Sequence, residues 1–173
     1  MVQINSLNQI ESVMLQLIAD ALNEVAEEAA KLMQDNVEKE VYAVGTQKGR
    51  EYYYAGSREP TGQLKESVVN TSPITKGNEV TATVEHDKDK MAFHADTFLH
   101  GSNYFSPNDV RELLPMFIDQ GLTGGIFGPK WENLKRPYFS KTKQELEAGL
   151  FEKLMTAALQ KRGVSVGVSY TMK

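Results

Sequence analysis

The chain has 173 residues, 40% of them hydrophobic and 24% charged, which suits one globular domain large enough to bury a core without staples. Its 19 Lys and Arg against 23 Asp and Glu leave a net charge of −4, which argues against a duplex-binding face as its main business, and the absence of cysteine excludes disulfides, thiolate nucleophiles and zinc–thiolate cages. The start, Met1-Val2-Gln3-Ile4-Asn5, has no basic region followed by an apolar one, and nowhere do about 18 apolar residues run together, so the expectation is a protein neither exported nor membrane-spanning.

Ser6-x-x-Gln9 has capping-box spacing, and Leu7, Ile10, Met14, Leu17, Ala21, Val25, Ala29 and Leu32 recur at three and four residues. The pattern predicts a helix to about Glu40, roughly 50 Å long. Val13, Ile18, Leu22 and Met33 widen its apolar stripe beyond what one small sheet covers, so a partner subunit is expected on the excess; the competing reading buries the whole helix in its own domain. The acids Glu27, Glu28, Glu38 and Glu40 stand beside Lys31 and Lys39, where solvated pairing one turn apart is the ordinary explanation.

Residues 44–62 read as a loop holding Tyr52, Tyr53 and Tyr54 among Lys48, Arg50 and Arg58. Aromatics beside cations invite a nucleic-acid reading by stacking. A short strand or protein contact is the stronger reading, and these tyrosines are candidate partner contacts. Next comes Pro60-Thr61-Gly62-Gln63-Leu64-Lys65-Glu66-Ser67-Val68-Val69. Pro60 and Gly62 bracket a turn, Thr61 is a candidate cap for a short helix, and Leu64 and Val68 share a face.

Val68 to Ile74 and Glu79 to His86 predict a hairpin across Thr75-Lys76-Gly77-Asn78, with Val80, Ala82, Val84 and His86 on one face and Pro73 weakening the pairing. His86, Asp87, His94, Asp96 and His100 form the one conceivable metal set, but their spacing matches no strong site pattern, and no metal or cofactor is expected. No Gly-x-Ser-x-Gly elbow is present, and each serine reads as cap or turn, so no catalytic residues are assigned.

Ser106-Pro107-Asn108-Asp109 opens a helix whose apolar face is Val110, Leu113, Leu114, Phe117 and Ile118, with a kink expected near Met116 after Pro115 and a stop at Gly121. Residues 121–129 form a Gly-rich loop without the Lys-Ser or Lys-Thr of a phosphate loop. Ile126 and Phe127 in it, and Trp131 beyond it, are candidate partner contacts. Arg136-Pro137-Tyr138-Phe139 enters a last helix, with Ser140 or Thr142 as cap. It runs from about Ser140 to Lys161, buries Leu146, Leu150, Phe151, Leu154, Met155, Ala158 and Leu159, and ends at Gly163. Val164, Val166, Val168 and Tyr170 then alternate as a strand. Together these elements predict one α+β domain over residues 1–173: an antiparallel sheet of three to five strands packed by two long helices, a helical insertion at about 93–131 and a C-terminal strand or tail at 164–173. Leu64, Val68 and Phe139 are expected to hold it together.

A long first helix, a T-G-x-L-x-x-S-[IV] element opening a hairpin at Thr61 to Val68, and a [RP]-P-[YF]-[FL] step at Arg136 to Phe139 into a last helix resemble the neck or tail-completion proteins of long-tailed bacteriophages. The resemblance spans roughly residues 8 to 162. In that family an extended middle run ends in a Glu-x-Gly-Thr-like turn; here residues 93–131 replace it. The resemblance implies a structural virion protein of a phage or prophage, not an enzyme, forming a homo-oligomeric ring of six or twelve copies at the head–tail junction. Its partners would be itself, head-closure or connector proteins, and tail-terminator or tail-tube proteins. DNA would pass through without specific binding, no membrane would be involved, and assembly in the host bacterial cytoplasm would place the chain in the virion. The competing function is a small regulatory binding protein such as a toxin–antitoxin component.

Overall fold

A computed structural model describes residues 7–43, 62–91, 107–120 and 135–165. The chain is mixed helix and strand, with one long helix and small antiparallel ladders. Helix α1 spans Leu7–Val37 and passes into a wider π-helical turn at Glu38–Tyr42. No glycine or proline interrupts residues 7–43, so nothing in the backbone stops it. Then follow α2 (Gln63–Glu66), β1 (Val68–Asn70), β2 (Ile74–Lys76), β3 (Glu79–Thr81), β4 (Val84–His86), a 3-10 turn at Lys88–Lys90, α3 (Pro107–Gln120), α4 (Tyr138–Glu145), a turn at Leu146–Leu150, and α5 (Phe151–Lys161). Among the described residues no helix is long and apolar enough to cross a membrane.

The predicted single sheet of three to five strands is not found among the described residues. Two two-stranded ladders stand instead, β1 with β4 and β2 with β3. The hairpin register pairs Ile74 with Thr81, Thr75 with Val80 and Lys76 with Glu79, and Gly77 opens its turn at φ 58°. Pro73, which has no N–H to donate, sits where the first ladder gives way to the second. There the side chain of Thr71 substitutes for strand bonds: the Thr83 N–H donates to Thr71 Oγ1 at 3.0 Å while the Thr71 N–H donates to the Thr83 carbonyl at 2.8 Å. The predicted alternation holds, with Val80, Ala82, Val84 and His86 each more covered than their neighbours at 79, 81, 83 and 85. Val164 and Ser165 are not in a strand, and the rest of the predicted C-terminal strand lies outside the described residues.

The described residues divide into two compact units, each discontinuous in sequence. The first takes residues 7–29, 70–84 and 145–165. Its core sets Ala21 and Val25 of α1 against Ala158 of α5, with Leu154, Met155 and Leu159 packed around them. The small side chains at 21 and 158 allow close approach. An ionic clasp surrounds this core: Lys161 and Arg162 both bond Glu24, while the Arg162 guanidinium also donates to the carbonyls of Ala158 at 2.7 Å and Asp20 at 2.9 Å. Bonds from Lys161 and then Arg162 hold the Glu24 carboxyl below the usual carboxylate range. Gly163 ends α5 as predicted, at φ 78°, with its N–H bonded to the Gln160 carbonyl and that of Val164 to the Leu159 carbonyl, a Schellman pair.

The last helix departs from prediction within this unit. Gly149 has φ 107° and ψ −2°, a break in the helical backbone at a position where only glycine is comfortable. Phe151, predicted inside, stands in the first turn of α5 just past this break and is exposed.

The second unit takes residues 30–43, 62–69, 85–91, 107–120 and 135–144. Met33, Val37, Leu64, Val68, Met91 and Tyr138 are its buried apolar side chains. Asn36 is buried with them and donates to Thr142 Oγ1 at 3.0 Å, whose own proton goes to the Tyr138 carbonyl. Leu64 and Val68 are inside as predicted, but Phe139 is 47% exposed, because the adjacent Tyr138 takes the inward position. Helix α4 begins at Tyr138, and neither Ser140 nor Thr142 caps it. Asp119, reaching from α3, accepts from the N–H groups of Phe139 at 2.8 Å and Ser140 at 3.0 Å, and from Ser140 Oγ at 2.6 Å. A buried carboxylate on two free N–H groups at a helix start is a stronger cap than a hydroxyl.

Candidate functional site

Within the second unit, polar side chains from three segments meet. Gly62, at φ 79°, starts α2, and the carbonyl at 62 accepts from the N–H groups of Lys65 and Glu66. One turn later Ser67 closes α2, fully buried, with Oγ 2.8 Å from the Leu64 carbonyl and 2.7 Å from His86 Nδ1. His86 ends β4, and its Nε2 lies 2.9 Å from the hydroxyl of Tyr138, the first residue of α4. That hydroxyl is also 3.3 Å from the carbonyl of Pro115 in α3. The His86 and Tyr138 rings meet edge to face, with centroids 5.7 Å apart at 83°.

The chain of contacts therefore runs from Leu64 O to Ser67, His86, Tyr138 and Pro115 O. With neutral His86 it has fewer protons than links, so one link goes unfilled. The shorter contacts select Ser67 donating to Leu64 O, His86 donating through Nδ1–H to Ser67, and Tyr138 donating to Nε2; the 3.3 Å contact to Pro115 is then the unfilled one. A second proton on the imidazole would fill every link. Burial opposes it, pushing His86 down to about 4. Burial, and then the charge of Asp119 and the nearby Tyr42, push the Tyr138 phenol well above its ordinary range.

A serine hydroxyl at 2.7 Å from an imidazole nitrogen is the geometry of a nucleophile and its base. Ser67 and Tyr138 are both fully buried, so neither oxygen is presented to a solute. What the arrangement can do is tie α2, β4, α3 and α4 together at one point. Two further ties lie beside it: the Lys65 N–H donates to the Tyr42 hydroxyl at 3.2 Å, and Gln34 donates to the Val68 carbonyl at 3.3 Å.

The sequence-predicted contact residues Tyr52, Tyr53, Tyr54, Ile126, Phe127 and Trp131 lie outside the described residues, as do His94, Asp96 and His100. His86 is described, and its partners are Ser67 and Tyr138; the carboxylate of Asp87 instead accepts from the Asp89 N–H at 3.0 Å. Among the described residues no cluster of three or more His, Asp or Glu side chains could hold a metal ion. Sequence reasoning missed Ser67, Tyr138 and Asp119 as polar partners. The available signal was that Ser67 stands directly before the apolar Val68-Val69 pair and that Tyr138 carries a hydroxyl in a helix entrance read as apolar.

The chain matches no protein-family model, no curated protein and no solved structure.

Proposed function

We propose that this chain is a structural component of a tailed phage or prophage particle, forming a homo-oligomeric ring at the head–tail junction that joins the head connector to the tail tube. The observation that carries the reading is that the two segments with the neck-protein pattern, Thr61 to Val68 and Arg136 to Phe139, meet through Ser67 and Tyr138 on a single histidine. Residues so buried serve the fold, and they leave the molecule's work to its surfaces, as assembly requires and a hydrolase would not. The ring is built from copies of the chain, meets connector and tail-terminator or tube proteins, and carries no cofactor.

Deleting the reading frame from its source genome and viewing induced lysates by electron microscopy tests this directly. Full heads and free tails, unjoined, are the expected result, and intact infectious particles would overturn it. Binding to duplex DNA should be weak and salt-sensitive, no tighter than roughly 10⁻⁴ to 10⁻⁶ M and without sequence preference. Nanomolar affinity for one sequence over a scrambled control would replace the neck reading with a regulator.

A further inference from the structure

Helix α1 is covered unevenly within the first unit. Its fully buried positions begin at Ala21, beside the point where the guanidinium of Arg162, at the end of α5, reaches Asp20 and Glu24. Ahead of it Leu7 is 81%, Ile10 43%, Val13 39% and Met14 40% exposed. Residues 7–19 span roughly 20 Å of helix. Leu7, Ile10, Met14 and Leu17 follow the three-four-three spacing of a coiled-coil seam, in line with Ala21.

We propose that residues 7–19 of α1 form a subunit contact, pairing antiparallel with the same segment of a second copy. The chemistry of the segment selects that occupant. A membrane-surface helix carries Lys or Arg on its polar face, and residues 7–19 have none; their one charge is Glu11. The same lack of cations disfavours nucleic acid. The positions that flank the seam are Glu11, Val13 and Ile18, so two identical faces meet as a largely apolar surface with one solvated acid per chain at its edge. The four exposed side chains present on the order of 350 Å² per chain, about three quarters of the roughly 450 Å² apolar share of a standard interface of about 800 Å² per partner, which suits a weak pair that forms at high concentration. Orientation follows from α5. Beyond Ala21 the seam is already occupied, so a parallel pair would force both copies of α5 between the helices, whereas an antiparallel pair overlaps only the free lengths and sets Ile10 against Met14 of the other copy. Such a pair closes on itself. It therefore describes the free chain, stands independently of the neck reading, and leaves a ring to be made through a different surface.

Light scattering on the full chain at about 100 µM should give twice 19.3 kDa for wild type. Ile10→Asp should halve that mass without changing the circular dichroism spectrum, since residue 10 is exposed within one chain, and Ile74→Asp, at an exposed residue of the hairpin, should leave it unchanged. Because the chain has no cysteine of its own, a mixture of Ile10→Cys and Met14→Cys chains should oxidise to the mixed disulfide at least tenfold faster than Ile10→Cys alone. A monomeric wild type, a mass that survives Ile10→Asp, a mass that Ile74→Asp also halves, or faster crosslinking of Ile10→Cys with itself each overturns the proposal.

Discussion

Lowering pH should loosen the second unit through one residue. His86 holds a neutral imidazole between Ser67 and Tyr138, and burial pushes it down to about 4, against an ordinary value near 6.5. Between those values the unfolded chain binds a proton that the folded chain refuses, so stability is complete above about pH 6.5 and falls as pH drops toward 4. At pH 5 the full effect is about 2 kcal/mol, and partial solvent access at His86 reduces it to about 1.5 kcal/mol. For a chain of this size that is a fall of about 5 °C in Tm. The 23 acidic side chains also titrate in this range, so the assay is a difference. Urea unfolding of wild type and His86→Gln, each at pH 7.5 and pH 5, cancels the carboxylate contributions they share. His86→Gln should be less stable at pH 7.5, having lost the bond to Ser67, yet should lose about 1.5 kcal/mol less than wild type on acidification. Parallel losses in the two proteins would refute the assignment of this pH dependence to His86.

Three other perturbations probe the same construction by thermal or urea melts. Asp119→Ala removes the acceptor for Phe139 N–H, Ser140 N–H and Ser140 Oγ and should cost about 2 kcal/mol, while Asp119→Asn, which keeps one acceptor oxygen, should cost about half as much; equal losses would mean the carboxylate is not acting as the cap. Gly149→Ala meets no atom within 4 Å, so its expected loss of about 1 kcal/mol is wholly backbone strain at φ 107°, and an unchanged or higher Tm would show that the last helix straightens without penalty. Leu64→Asp puts an unpaired carboxylate at a buried position of the second unit and should unfold or aggregate the chain, a loss of several kcal/mol, whereas Phe139→Asp on the surface should stay within about 0.5 kcal/mol; similar losses would contradict the burial pattern.

What could be read from sequence were features whose cause lies within a turn or two. The long helix follows from an uninterrupted apolar period, the Gly163 stop from the need for positive φ, and the hairpin alternation from a period of two. Leu64 and Val68 are both inside, though not as one helical face, since α2 ends at Glu66 and Val68 opens β1. The ties at the candidate site were illegible for the opposite reason. Ser67 and His86 are 19 positions apart, and His86 and Tyr138 are 52. A serine after a short helix reads locally as a turn residue, and a histidine in a strand reads as one more polar position. The cap of α4 was misread because Ser140 is locally adequate, and nothing near it in sequence announces that Asp119 supplies a better acceptor. The interruption of the last helix rests on a single backbone angle at Gly149, four residues after α4 ends. The single sheet failed at Pro73, whose missing N–H was legible as a weakness but not as the boundary between two ladders.

The residues that make the two motifs recognisable are those the tie requires. Gly62 takes the positive φ that starts α2 so that Ser67, one turn on, can reach His86. Pro137 fixes the approach to α4 so that Tyr138 turns inward while Phe139 stays out. A polar link in an apolar interior adds little net stability, since it mostly replaces bonds to water, but mispairing it leaves buried groups unsatisfied. Its contribution is to admit one arrangement of α2, β4, α3 and α4 and to penalise the rest. The motifs thus speak to how the second unit is held, and partner choice must be written in residues they do not include. Among the described residues the uncovered seam at the start of α1 is one such surface, proposed above for a second copy, and contacts with other partners would fall to other surfaces.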